Sequence, residues 1–385
     1  DGAVLDTNAI TLTLDDNEVN TIRWMTNFGR GIMVGCPSGE FVVGPAQQNG
    51  AISPSNFRAE RKGDRGSSAE VAGVRVGAAT LFVSRSGRQV REFIYDFQTD
   101  AFRSGDQTVL ADHITGPGIV EAAYQRQPEG TLWAVRSDGV LLSFTYDREQ
   151  EVRAWQRHTI AGADAVVESV AVVASPDGTT DDVYLAVART IGGQTVRYVE
   201  WMGAPFDAER DGETAGVFVD SALTYDGPAE LVFTGLGHLE GEEVAICADG
   251  AKRPAQTVTA GFVRIEEPAA SLVHIGLPYR HRIKTLRPEV PLNTTAQGRS
   301  KRIVKAKVRL LESMGGRIGT PDGRFEPLLY RTPLDAMTAA VPLFTGDIEV
   351  RFPAGFDEEG QMVIEGDDPL PFTLLSIIYE VQIND

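Results

Sequence analysis

Residues 132–150, LWAVRSDGVLLSFTYDREQ, read as two extended runs folded about Ser137-Asp138-Gly139. Leu132, Ala134 and Arg136 fall on one face of the first run and Trp133 and Val135 on the other, the two-residue period of a strand. Glycine supplies the positive φ that a tight hairpin demands, and Ser or Asp before it suits the same turn. Apolar residues on both faces imply a sheet covered on both sides.

The pattern recurs three times. GIMVGCPSGEFVVG centres on Gly39, TLFVSRSGRQVREFIYD on Gly87 and VYLAVARTIGGQTVRYVEW on Gly193, so the turn glycines are spaced by 48, 52 and 54 residues. A drifting repeat of about fifty residues is the length of one four-stranded propeller blade. A second echo accompanies it: FIYDFQTDAF (93–102) and FTYDREQEVRAW (144–155) each follow their turn with an aromatic-Asp pair and then a further aromatic. Tyr95 and Tyr146 are expected to pack between sheets, with ligand stacking as the alternative.

The pattern changes near residue 204. GAPFDAERDGETAG (203–216) is loop-like and acidic, and the residues after it read as short strands between glycine-rich turns, a small β-barrel-like insertion. Longer strands return after residue 300. In RIVKAKVRLL (302–311), Val304, Ala306, Val308 and Leu310 share one face and Lys305, Lys307 and Arg309 the other. The basic stripe reads as a solvated strand face rather than a phosphate-contacting one. The last segment, DDPLPFTLLSIIYEVQIND, is expected to close a ring of sheets against an early strand. The expected organisation is therefore all-β: a distorted β-propeller whose first blades occupy residues 1–219, an inserted β domain at 220–287, and strands completing the propeller at 288–385.

The 36 basic against 54 acidic side chains, a formal charge of -18, weigh against a protein held to nucleic acid by many phosphate contacts. Two distant cysteines, Cys36 and Cys247, cannot make a disulfide framework or a four-ligand zinc site, which fits a reducing compartment. No apolar run is long enough to span a membrane as a helix, and the N-terminus lacks the pattern of a secretory signal. Asp at residue 1 in place of Met is expected of a trimmed or processed chain.

Catalytic motifs are missing. GCPSG (35–39) carries its serine one position too late for a nucleophile elbow, and there is no phosphate-binding loop, H-E-x-x-H pair or calcium loop. The histidines at 113, 158, 238, 274 and 281 are dispersed; His274 and His281 are closest, and an odd separation puts them on opposite faces of an extended chain. Cys36 and Cys247 lack a local partner that would activate a thiol, and read as packing residues. The acidic pairs Asp181-Asp182, Glu242-Glu243 and Asp367-Asp368 read as turn and surface groups.

Taken in order, WMTNFGRGIMVGCPSGEFVV (24–43), ISPSN (52–56), the segments 81–115 and 132–158, VRYVEWM (196–202), HLEGEEVAICADG (238–250), SLVHIGLPY (271–279), PLFTGDIEV (342–350) and DDPLPFTLLSIIYEV (367–381) resemble the tail nozzle proteins of short-tailed bacteriophages (podoviruses), also called tail tubular protein B. The resemblance covers nearly the whole chain. It implies a structural virion protein, not an enzyme, with a distorted propeller core. It also implies assembly in the host bacterial cytoplasm as a homo-hexameric ring in the virion tail. The ring would sit below the portal and tail adaptor protein, its lumen passing DNA at ejection without sequence-specific binding. The family brings no catalytic, cofactor or metal residue. The alternative is a propeller-type glycan-binding or polysaccharide-degrading tail or prophage protein, which would gather carboxylates at a central pocket.

Overall fold

The computed structural model describes residues 8–14, 18, 20–29, 31–47, 50–289, 298–331 and 341–384. The chain is all-β, built from small antiparallel sheets; among the described residues helix is limited to single turns at Asp112–Thr115, Ala208–Asp211 and Gly237–Leu239. It divides into two compact units. One holds residues 1–158, 165–188 and 197–202; the other holds 159–164, 189–196 and 203–385.

In the first unit three successive sheets are four-stranded meanders, each bonded in sequence order. They comprise Trp24–Phe28, Gly31–Gly35, Glu40–Gly44 and Arg58–Arg61; then Val74–Val76, Ala79–Val83, Val90–Asp96 and Ala101–Asp106; then Ile119–Gln125, Thr131–Arg136, Leu141–Asp147 and Val152–His158. A fourth sheet has three strands, Ala163–Ala174, Asp181–Ile191 and Gln194–Met202; most of its residues belong to the first unit, and residues 163–164, 189–191 and 194–196 belong to the second. Every repeat glycine falls in the same place, the hairpin between second and third strands. The reason for glycine differs, however. Gly87, Gly139 and Gly193 have φ of 74°, 81° and 79°, as the hairpin argument requires. Gly39 is absent from the left-handed region; a Cβ there would run into the carbonyl oxygen of Gly63, so close backbone approach selects it.

These sheets are stitched to one another through the same turns. Ile119 N–H donates to the Gly87 carbonyl at 2.8 Å and Val167 N–H to the Gly139 carbonyl at 2.8 Å, so the chain entering one sheet satisfies the central turn of the sheet before it. Ser67 N–H does the equivalent to Cys36 O at 2.9 Å. Apolar side chains fill the spaces between. Trp24 and Met33 of the first sheet meet Phe82 and Phe93 of the second, and Leu81, Val83 and Val90 of the second meet Leu132, Leu142 and Phe144 of the third.

The aromatic echo has a structural counterpart. Phe93 stacks on Phe102 with centroids 5.1 Å apart and planes 12° from parallel, and Phe144 stacks on Trp155 at 4.5 Å and 15°. In each case a third-strand Phe packs on an aromatic of the fourth strand. The tyrosines part company. Tyr146 is buried against the preceding sheet, its hydroxyl donating to Glu92 Oε1 at 2.8 Å, as expected of an inter-sheet residue. Tyr95 is exposed instead, because its hydroxyl is engaged by Asp100 in the turn of its own sheet.

The second unit has two cores. Asp220–Glu230, Ala270–Leu277, Glu243–Ala248 and Ala251–Thr257 bond in that order, and the ribbon Val232–Thr234 with Phe262–Arg264 caps a core including Leu236, Val244, Ile246, Val273 and Ile275. The ladder is open at both ends rather than closed into a barrel, and register shifts interrupt Asp220–Glu230 and Glu243–Ala248. The other core lies around Val308, Leu310, Ile318 and Ile364. It joins the sheet Phe344–Arg351, Ser300–Ser313, Thr373–Asn384 to the sheet His281–Lys284, Val363–Gly366, Arg317–Gly319, Phe325–Pro327.

Two expectations are corrected here. Among the described residues the terminal strand Thr373–Asn384 pairs with no early strand; it runs along Ser300–Ser313 from Ser300↔Asn384 to Leu311↔Thr373. Its apolar face, Leu374 and Ile377, meets the core beside Ala306 and Val308. In Ser300–Ser313 the alternation holds for Ala306, Val308 and Leu310, but a register shift after Ile303 turns Val304 out of the buried row and puts Ile303 into it.

Candidate functional site

Polar groups concentrate in the seam between the second and third sheets. Glu92 lies in VREFIYD at the inward parity of Val90, and is 5% exposed. Its carboxylate accepts from Tyr146 Oη, from Gln107 Nε2 at 3.2 Å and from the Arg148 guanidinium. Burial and the adjacent carboxylate push the Tyr146 phenol up to about 12, so it stays neutral and donating. Trp155 Nε1 donates to the Gln107 carbonyl at 2.9 Å, a second tie across the seam. Glu40, in the first sheet, is fully buried and accepts from Ser67 Oγ at 3.3 Å; burial raises its carboxyl above the ordinary value. Both carboxylates are buried and hydrogen-bonded.

A serine and a histidine do meet. Ser143 Oγ lies 2.7 Å from His158 Nε2, and the imidazole rests on Trp133 with centroids 5.2 Å apart. Burial drives the imidazole down to about 4, which makes it a weak base at neutral pH. Among the described residues no carboxylate orients its other nitrogen, so the pair lacks the third member of a nucleophilic relay. It reads as a satisfied internal polar contact.

In the second unit Glu365, fully buried, gathers three arginines. Arg317 bonds it at 2.9 Å, Arg280 closes on its other oxygen, and Arg282 stands at 3.7 Å. Burial opposes its ionisation, yet the hydrogen bonds from Arg280 and Arg317 hold the carboxyl below its ordinary value. The basic stripe of Ser300–Ser313 is likewise paired: Arg309 with Asp347 at 2.7 Å, Lys307 with Glu349 at 3.4 Å, and Lys305 with Glu349 and Glu380. A row of cross-strand ion pairs is poorly suited to phosphate, since each cation already has its anion.

The remaining candidates are dispersed. His274 and His281 lie in different sheets, His274 against Thr224 Oγ1 at 3.0 Å and His281 stacked on Phe372. His238 bonds the Ser221 carbonyl and His113 is exposed. Neither cysteine is in a disulfide and both are buried, and burial raises the Cys247 thiol to about 11; His274 is its cross-strand neighbour, a proximity that sequence spacing hid. Asp181 accepts from the backbone N–H groups of Arg126 and Gln127, while Asp368 pairs with Lys252 and Asp367 stands 3.9 Å from Arg317. Glu242 is half-buried and Glu243 exposed. Among the described residues no three His, Cys, Asp or Glu form a metal-holding group. A shallow groove of about 560 Å³ is lined by Glu326, Leu329 and residues 348–353. No helix among the described residues is long and apolar enough to cross a membrane.

Sequence reasoning missed Glu92, Glu365 and the Ser143–His158 contact. Glu92 and Glu365 had a readable signal, a charge at an inward position of an apolar strand. The serine–histidine contact had none.

No family model matches the chain, and no curated protein matches it. Among solved structures, it has a likeness to a protein described as a 6-phosphogluconolactonase from Bacteroides uniformis: 8% identity, 65% of this chain and 72% of that one covered, and a TM-score of 0.27. A likeness this slight leaves the function to the chain's own residues.

Proposed function

We propose that this chain is a structural, non-enzymatic subunit of the tail nozzle of a short-tailed bacteriophage, with a distorted propeller core. It assembles as a homo-hexameric ring against a tail adaptor protein, in a virion tail put together in the host cytoplasm. DNA passes its lumen at ejection without sequence-specific binding. The reading rests on the ordered sequence blocks that resemble that family. The observation that carries it is the succession of meander sheets stitched side by side through their central turns. Such sheets cannot cover their own faces and need neighbours around an axis. The charge of -18 fits the same role. Duplex DNA carries one charge per about 1.7 Å of its axis, and screening in physiological salt acts over about 8 Å, so an acidic wall repels a passing duplex without gripping it.

The test is electron microscopy of the chain mixed with its adaptor, beside assays on host surface polysaccharide. Six-fold rings with a central channel are the expected outcome. Polysaccharide cleavage lost on replacing a single carboxylate, or saturable glycan binding without ring formation, would overturn the proposal.

A further inference from the structure

In the second unit the sheet Phe344–Arg351, Ser300–Ser313, Thr373–Asn384 has three strands, and among the described residues neither outer strand meets a further one. One of them lacks the usual protection of an edge. Thr373–Asn384 runs for 12 residues with Glu380 as its sole charge and no proline, whereas exposed edges are ordinarily short, charged or interrupted by proline. Leu375 is 54% exposed, Ile378 47% and Tyr379 37%. The other outer strand, Phe344–Arg351, borders the groove of about 560 Å³, whose lining includes Ile348, Val350, Phe352 and Leu329. On its outward face Arg351 pairs with no acid among the described residues, although Lys305, Lys307 and Arg309 beside it are all paired.

The two edges match in level along the strands. Arg351 and Glu380 both stand across from Lys305, Val350 and Tyr379 from Ala306, Glu349 and Ile378 from Lys307, and Ile348 and Ile377 from Val308. Both strands are antiparallel to Ser300–Ser313 and so parallel to each other. A second copy set beside the first with the same face outward therefore joins them as a parallel ladder. With no stagger, Glu380 then lies next to Arg351, and Tyr379 and Ile377 lie beside Val350 and Ile348 in the groove. The main chain agrees. Phe352 N–H donates to the Val304 carbonyl at 3.2 Å, so by alternation the main-chain groups of Glu349 and Arg351 point to the open edge. By the same alternation those of Ile377 and Tyr379 point away from Ser300–Ser313. A parallel ladder joins a residue to the two that flank its level partner, and Glu349 is level with Ile378, between Ile377 and Tyr379.

We propose that Thr373–Asn384 of one copy of this chain docks in the groove along Phe344–Arg351 of a second copy, as a parallel strand addition locked by a Glu380–Arg351 ion pair. Main-chain hydrogen bonds along the new ladder supply affinity, Tyr379 and Ile377 fill the apolar groove, and the ion pair fixes register. Because donor and acceptor are different surfaces, the contact is head-to-tail and propagates until it closes. Pairing of two Thr373–Asn384 edges about a two-fold axis would instead leave the groove and Arg351 uncovered. The contact deepens the ring reading above and rests on that reading only for the closure of the assembly.

Sedimentation velocity of the full chain over a concentration series tests it, with variants whose folding is checked by circular dichroism. Arg351→Glu and Glu380→Arg each set like charges against one another across the contact. The wild type is expected to self-associate, and each of these variants alone to do so at least about tenfold more weakly. An equal mixture of the two should recover association, as should both changes in one chain, since each arrangement restores opposite charges at every contact. Tyr379→Pro removes an N–H that points to the open edge and spares the ladder to Ser300–Ser313, and it should weaken association alike. A wild type that stays monomeric, or association equal in all these proteins, would overturn the inference. So would a loss in Glu380→Arg with none in Arg351→Glu, the mark of two-fold pairing between Thr373–Asn384 edges. Closed rings formed alike by every variant would leave the nozzle reading standing and remove this contact. Open chains that respond to the charge changes and never close into rings would do the reverse.

Discussion

Phe144→Ala tests the repeated aromatic stack and, through it, the claim that the sheets of the first unit are built on one plan. Phe144 is fully buried between the second and third sheets and lies on Trp155 with centroids 4.5 Å apart. Removing its ring withdraws the contacts of a buried aromatic and leaves a cavity between sheets that backbone ladders hold apart, a cost of about 3–5 kcal/mol. Stabilities of single domains are about 5–15 kcal/mol, so the unit should remain folded but with much of its margin gone. Phe144→Leu keeps most of the volume and loses the stack, about 1 kcal/mol. Phe93→Ala should behave similarly to Phe144→Ala, because Phe93 is equally buried and stacks on Phe102 at 5.1 Å. Phe97→Ala, 87% exposed, is the control and should cost less than about 0.5 kcal/mol. Urea unfolding followed by tryptophan fluorescence and circular dichroism measures all four. A cost for Phe144→Ala below about 1 kcal/mol, or one no larger than that of Phe97→Ala, would refute the reasoning.

Tyr146→Phe should cost about 1.5–3 kcal/mol, the worth of a hydrogen bond to the Glu92 carboxylate, read from the same urea curves. The folded phenol at about 12 stands above its ordinary 10.0, so its contribution is whole below pH 10 and fades as the pH rises from 10 to 12; the difference between the ultraviolet titrations of the wild type and Tyr146→Phe should place the Tyr146 ionisation above pH 10. His158 gives the opposite sign. Its folded value near 4 lies below 6.5, so the stability tied to the neutral ring, about 3 kcal/mol, is present above pH 6.5 and lost as the pH falls towards 4. His158→Gln should flatten that acid limb in a pH series of melting curves. Glu365→Gln leaves Arg280, Arg282 and Arg317 facing one another without their shared anion. It should destabilise the second unit by about 3 kcal/mol, and calorimetry that showed no change would argue against a structural role for the cluster.

Several of these residues mark the boundary between what local sequence carries and what folding adds. The hairpins at Gly87, Gly139 and Gly193 were legible because a two-residue period broken by a residue with positive φ is a local pattern, complete within about fifteen residues. The F-x-Y-D echo was legible as a repeat for the same reason. Its meaning was not, since the fate of Tyr95 and Tyr146 depends on whether Asp100 in the turn or Glu92 in another sheet captures the hydroxyl. The terminal strand shows the same limit. Its apolar alternation declared a strand, but nothing within it named Ser300–Ser313 as partner, more than sixty residues upstream.

By itself, then, the sequence determined that the chain is all-β, where its repeated hairpins turn, and which strand faces are apolar, because periodicity and turn chemistry act over a few neighbouring residues. Tertiary structure alone decided which sheets meet, that the basic stripe is paired with acids, and that Glu92 and Glu365 are buried among donors. Those outcomes depend on segments brought together from tens of residues apart, and the side chains that meet there carry no mark of one another in the linear order.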